Sequence, residues 1–93
     1  MRELENKTAL VTGASRGIGH TTAEALAKAG AHGLVHYGRS RQEAESLVVE
    51  IRRKGGDADA ISADLGTPEG AALLAKQVHS IGDRLDVLVL NAG

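Results

Sequence analysis

A length of 93 residues, 42% of them hydrophobic and 25% charged, with a formal net charge of −1, suits one small globular unit or part of a larger one. Acids and bases are interleaved and Tyr37 is the single aromatic, so neither a nucleic-acid footprint nor an attraction to anionic membranes is expected. The absence of cysteine excludes a disulfide framework and thiolate chemistry. The charged opening and the lack of any apolar run near ~20 residues argue against a secretory leader or a membrane span, so the expected compartment is the cytoplasm.

The first apolar run, Ala9-Leu10-Val11, predicts a strand over residues 8–12. It leads into Thr12-Gly13-Ala14-Ser15-Arg16-Gly17-Ile18-Gly19 and then a helix over 17–29, a strand-to-helix turn rich in glycine. Such turns bind phosphate: the first N–H groups of a helix have no partners within it, and its dipole places partial positive charge there. Glycine in turn lets an anion approach the backbone closely. The helix is expected to set Ile18, Thr22, Ala25, Leu26 and Ala29 on one face, with Gly30 in a left-handed conformation at its end.

A second strand is predicted over 33–37. The helix after it starts at Ser40, whose hydroxyl and Glu43 form a capping-box pattern. Its apolar stripe is Ala44, Leu47, Val48 and Ile51, and it stops at Gly55-Gly56. A third strand over 58–63 precedes a helix with Thr67 as N-cap and Pro68 at the first helical position, Ala71, Leu74, Ala75 and Val78 on one face, and Gly82 at its end. The fourth strand, over 86–91, contains the unbroken apolar run Val87-Leu88-Val89-Leu90, the pattern of a strand covered on both faces.

The order βαβαβαβ supports parallel strands joined by right-handed helical crossovers. A doubly wound, Rossmann-type α/β sheet would have the strand order 3-2-1-4, which brings the carboxyl ends of the first and fourth strands to one crevice. Ending at Gly93, such a sheet is incomplete at its C-terminus, with an apolar edge strand, and residues 1–93 are expected to be the dinucleotide-binding portion of a longer domain.

Gly13, Gly17 and Gly19 follow a G-x-x-x-G-x-G order, distinct from G-x-G-x-x-G and from the P-loop, which needs Gly-Lys-Ser/Thr. That turn, the pair Asp64-Leu65 after the third strand and Asn91-Ala92-Gly93 after the fourth together resemble the short-chain dehydrogenase/reductase family over residues 7–93, a third to a half of such an enzyme. The resemblance implies a nicotinamide dinucleotide with Gly13, Ser15, Gly17, Ile18 and Gly19 on its pyrophosphate side. It also implies Asp64 and Leu65 beside the adenine, and Asn91, Ala92 and Gly93 against the ribose and the central sheet. Leu90 departs from the family pattern, which has a further asparagine there.

Charge selects between the two dinucleotides. An acid near the end of the second strand accepts the ribose hydroxyls of NAD, whereas a basic residue receives the 2′-phosphate of NADP. The stretch His36-Tyr37-Gly38-Arg39-Ser40-Arg41 has no acid before Glu43, so NADP is expected over NAD. Arg16 and Arg39 are the expected phosphate ligands, with Tyr37 and Ser40 completing the contacts and Arg41 secondary.

The chemistry implied is hydride transfer between the nicotinamide and a carbonyl or alcohol substrate, with a serine and a tyrosine four residues before a lysine on one helix face. Tyr37 ends a strand and is followed at that spacing by Arg41, so no catalytic residue is assigned in this chain and those residues are expected beyond Gly93. His32 and His36 would stand about 13 Å apart on a strand, and no metal site is expected. Two other readings stay open: a non-catalytic dinucleotide-binding or regulatory module, and a methyltransferase using another adenosine cofactor. A homodimer or homotetramer is what the resemblance implies for the full-length form.

Overall fold

The structure is a computed structural model that describes residues 3–13, 17–81 and 85–90. β1 (Thr8–Val11), α1 (Gly17–Lys28), β2 (His32–Tyr37), α2 (Arg41–Arg53), β3 (Asp57–Ser62), α3 (Pro68–Ile81) and β4 (Val87–Val89) alternate along the chain. The strands form one parallel sheet in the order β3-β2-β1-β4, the topology the sequence predicts. Val11 stands opposite both Val35 of β2 and Val89 of β4, and Thr12 extends the link to β4 by donating its N–H to the Val89 carbonyl at 3.0 Å.

Alternation along the strands sends side chains to two faces. On one face Val11, Val35 and Ala58 pack against Ala23 and Ala27 of α1 and Ala44, Leu47, Val48 and Ile51 of α2. On the other, Leu10, Leu34 and Ile61 meet Leu74 and Val78 of α3. The α2 stripe is the one its periodicity predicts. Both α1 and α2 end in Schellman turns, with Gly30 at φ 105° and Gly55 at φ 89° in the left-handed region and the paired bonds Ala31 N–H to Leu26 O and Gly56 N–H to Ile51 O.

Three helix expectations are overturned. Helix α1 buries Gly19, Ala23 and Ala27, while of the predicted face Leu26 packs against the core at its edge and Ile18 is 79% exposed. Small residues at a spacing of four let this helix approach the sheet closely, and close approach decides the face over apolar bulk. Ser40 makes no side-chain capping bond, because its ψ of 61° turns the hydroxyl away from the first helical N–H groups; its carbonyl instead accepts from Ala44 N–H at 3.0 Å. Helix α3 buries Gly70, Leu74 and Val78, while Ala71 and Ala75 are exposed.

The cap of α3 is as expected: Thr67 Oγ1 accepts the Gly70 N–H at 3.0 Å. Gly70 sits where a Cβ would collide with the Asp64 carbonyl, so glycine there seats the first turn of α3 against the end of β3. Strand β4 covers only Val87–Val89, and Leu88 is 52% exposed, so the strand is not covered on both faces among the described residues. The predicted close of α3 at Gly82 lies outside the described residues.

Candidate functional site

The carboxyl ends of β1, β2 and β3 converge with the start of α1. Gly13 leaves β1 at φ 59° and Gly17 opens α1 at φ 68°, two left-handed positions that bracket the turn. A Cβ on Gly17 would meet nothing within 4 Å, so its backbone angle, and not crowding, is what calls for glycine. Gly19, buried in α1, draws the helix start onto the sheet, while Ile18 stays exposed beside it. No acid occupies the first turn of α1, so the positive end of its dipole meets no carboxylate from that turn. Ser15, Arg16, Asn91, Ala92 and Gly93 lie outside the described residues.

Beneath the turn lies His36, only 5% exposed. Its Nδ1 accepts the Gly13 N–H at 3.1 Å, and Nε2 stands 2.9 Å from the Ala63 carbonyl oxygen. Gly13 contributes to the site through its backbone shape, its N–H being directed to the histidine. No sequence pattern points to His36, because both of its partners are backbone atoms more than twenty residues away.

At the end of β2 a cleft of about 770 Å³ opens between the helix starts, lined by Gly17, His20, Arg39, Ser40, Arg41 and Gln42 among others. Here the two candidate arginines separate. Arg41 donates from Nε to Glu45 Oε2 at 3.1 Å, and this hydrogen bond, then the charges of Glu45 and Tyr37, raise its pKa above the ordinary arginine value. Arg39, by contrast, is exposed, and among the described residues no carboxylate lies within ion-pair distance of it. Tyr37 is half-buried against the α1/α2 core. His20 pairs with Glu24 at 3.3 Å on the rim of the cleft, a position its place on α1 alone does not reveal.

Asp64 and Leu65 follow β3 on the other side of His36. One Asp64 oxygen already accepts the Gly66 N–H at 2.9 Å, which shapes the turn before α3 and leaves the second oxygen toward solvent. Leu65 is exposed and contributes, with Thr12, Leu74 and Leu90, to an apolar hollow on the α3 face. Thus Gly13, Gly17, Ile18, Gly19, Tyr37, Arg39, Ser40, Asp64 and Leu65 all border the carboxyl edge of the sheet, but on two sides of it. Among the described residues no group of three or more acids and histidines could hold a metal ion, and no helix is long and apolar enough to cross a membrane.

Comparison with known proteins gives a consistent result. A family profile described as short chain dehydrogenase matches residues 7–93. The chain is 50% identical over 91 residues to versicolorin reductase 1 of Aspergillus parasiticus, covering 97% of this chain and 34% of that protein. It is 47% identical over 87 residues to a 3-oxoacyl-[acyl-carrier-protein] reductase of Staphylococcus aureus, covering 94% of this chain and 35% of the relative. Among solved structures, a metagenomic short-chain oxidoreductase in complex with NADP superposes with a TM-score of 0.92 at 37% identity, over 98% of this chain and 41% of that one. The landomycin C-6 ketoreductase LanV with bound NADP and rabelomycin gives 0.83 at 39% identity, over 98% and 40%. The chain therefore spans about a third of the length of the curated relatives it matches.

Proposed function

Since the chain belongs to the short-chain dehydrogenase family, we propose that it is the cofactor-binding portion of an NADP-dependent oxidoreductase that moves hydride between the nicotinamide and a carbonyl or alcohol substrate. The observation that carries the cofactor choice is the contrast between the two arginines of the cleft. Among the described residues Arg39 stands without a carboxylate partner beside Ser40 and the α1 start, whereas Arg41 is bonded to Glu45. A guanidinium not already paired is the group that meets a 2′-phosphate with bidentate hydrogen bonds and no deprotonation. NADP complexes among the structural neighbours support the same choice.

The residues present fit that cofactor. Two left-handed glycines and a buried third leave room for a pyrophosphate at the α1 start, and the acid-free first turn favours its charge. In this reading Gly17, Ile18 and Gly19, with Ser15 and Arg16, hold the pyrophosphate, and Arg39 and Ser40 hold the 2′-phosphate beside Tyr37. Asp64 receives the adenine amine on its outward oxygen with Leu65 against the ring, and Asn91, Ala92 and Gly93 line the ribose side. When bound, the dinucleotide would supply the hydride; no residue of this chain is assigned to deliver the proton. The same reading makes the full-length protein a cytoplasmic homodimer or homotetramer.

Calorimetric titration of the full chain with NADPH, NADH and S-adenosylmethionine tests it. NADPH binding tightest to the chain, with NADPH consumed on addition of carbonyl substrates by the complete oxidoreductase of which it is proposed to be a portion, is the expected result. A preference for S-adenosylmethionine would overturn the reading, and NADPH binding without turnover across a panel of ketones would leave a non-catalytic module in its place.

A further inference from the structure

His36 carries more than its place in the core requires. A backbone N–H can only donate, so the 3.1 Å contact from Gly13 obliges Nδ1 to present a lone pair. The ring proton then sits on Nε2 and is donated to the Ala63 carbonyl at 2.9 Å. Two partners thus fix one tautomer, with both ring nitrogens used and the side chain removed from solvent. The ring spans from Gly13, two residues past β1, to Ala63, the first residue after β3, and β2, which carries it, lies between the two strands.

We propose that His36 is a positioning residue for the phosphate-binding turn: as its Nε2–H tautomer it takes the Gly13 N–H and anchors the left-handed start of the turn to the end of β3. The inference rests on the reading of that turn as a dinucleotide site. A residue in the left-handed region is held only as well as its neighbours determine it. The Gly13 N–H bond to His36 fixes the orientation of the peptide it belongs to, and that peptide sets the direction in which the turn leaves β1. Ordering it before the anion arrives lowers the cost of binding, and the effect is the same for NADPH and NADH because both carry the pyrophosphate.

Two substitutions divide the two bonds. In His36→Asn the amide oxygen occupies the place of Nδ1, so the Gly13 bond survives and the Ala63 bond is lost. In His36→Gln the terminal amide reaches the Nε2 position, so the reverse holds. Each variant forfeits one neutral hydrogen bond, and a purely structural role predicts equal losses of thermal stability and equal cofactor affinities. Positioning predicts a split: with similar melting temperatures, His36→Gln binds both dinucleotides about fivefold to tenfold more weakly than His36→Asn. Equal affinities of the two variants would overturn the proposal.

A second readout needs no cofactor. Long-range ¹⁵N spectra of the full chain are expected to report the Nε2–H tautomer of His36, and the Gly13 amide is expected to exchange faster in His36→Gln than in His36→Asn. An Nδ1–H tautomer, or equal exchange in the two variants, contradicts the anchoring. If neither dinucleotide binds, the cofactor reading fails, while the spectra still decide the anchor.

Discussion

The two ends of β2 carry one histidine each, on the same face of the strand and in opposite chemical settings. At the amino end His32 sits among ionised side chains: Nε2 lies 2.7 Å from Asp59 Oδ2, Nδ1 4.0 Å from Asp57, and Arg52 reaches the other Asp59 oxygen at 3.0 Å. At the carboxyl end His36 meets two backbone groups and, among the described residues, no acid. The first cluster is half-exposed, where Coulomb attraction is offset by solvent screening and side-chain entropy. The second is buried, where a satisfied donor and acceptor pair fixes geometry and an unmade bond is expensive. Ion pairs occupy the amino end of the sheet, and backbone anchoring occupies the carboxyl end, where the dinucleotide is proposed to sit.

Leu34, fully buried midway between the two histidines, sets the scale for breaking this contrast. Leu34→Ala should cost about 2–5 kcal/mol and lower the stability of the whole sheet, so that urea denaturation shifts while neither end is affected selectively. A midpoint unchanged from the parent would contradict the core packing described. Thr67→Ala comes next. It removes the 3.0 Å cap on Gly70 N–H at the carboxyl end, and a loss of about 1 kcal/mol is expected for a deleted N-cap. Thermal melts should register it as a few degrees at most.

His32→Gln is the smallest of the stability changes, within about 1 kcal/mol because both partners are partly solvated. Its value lies in the comparison, since dinucleotide affinity should be unmoved by it and moved by changes at His36. An affinity loss at His32 matching that at His36 would dissolve the distinction between the two ends.

The parts of this architecture that were readable in the sequence are those written in local or periodic signals. The strand order follows from β and α segments in alternation, the α2 stripe from Ala44, Leu47, Val48 and Ile51 at helical spacing, and the α3 cap from Thr67 before Pro68. The face of α1 was not readable, because Gly19, Ala23 and Ala27 face inward for their smallness and a search for apolar bulk selects Ile18. Ser40 and Glu43 match a capping box in letters, but the backbone angle at Ser40 defeats it.

Within the candidate site, the glycines and Arg39 were legible from spacing and charge. Arg41 was already secondary in the sequence, and its place four residues before Glu45 on one helix gives a physical reason for that rank. His36 was not, because a lone histidine in a strand carries no trace of which carbonyl and which amide it will meet across a parallel sheet. Asp64 commits one oxygen to a turn-forming bond with Gly66 N–H, and the proposed adenine contact falls to the other.

Arg39, with no ion-pair partner among the described residues at the mouth of the cleft, is proposed to select the phosphorylated dinucleotide. Titration of Arg39→Glu in the full chain, beside Arg41→Ala, tests it most directly. Replacing the guanidinium by a carboxylate exchangesbidentate attraction for repulsion, so NADPH should weaken by about 100-fold and NADH by less than about threefold. Arg41→Ala should leave the ratio of the two affinities near that of the parent. An Arg39→Glu variant that keeps the parent's preference for NADPH would contradict the account.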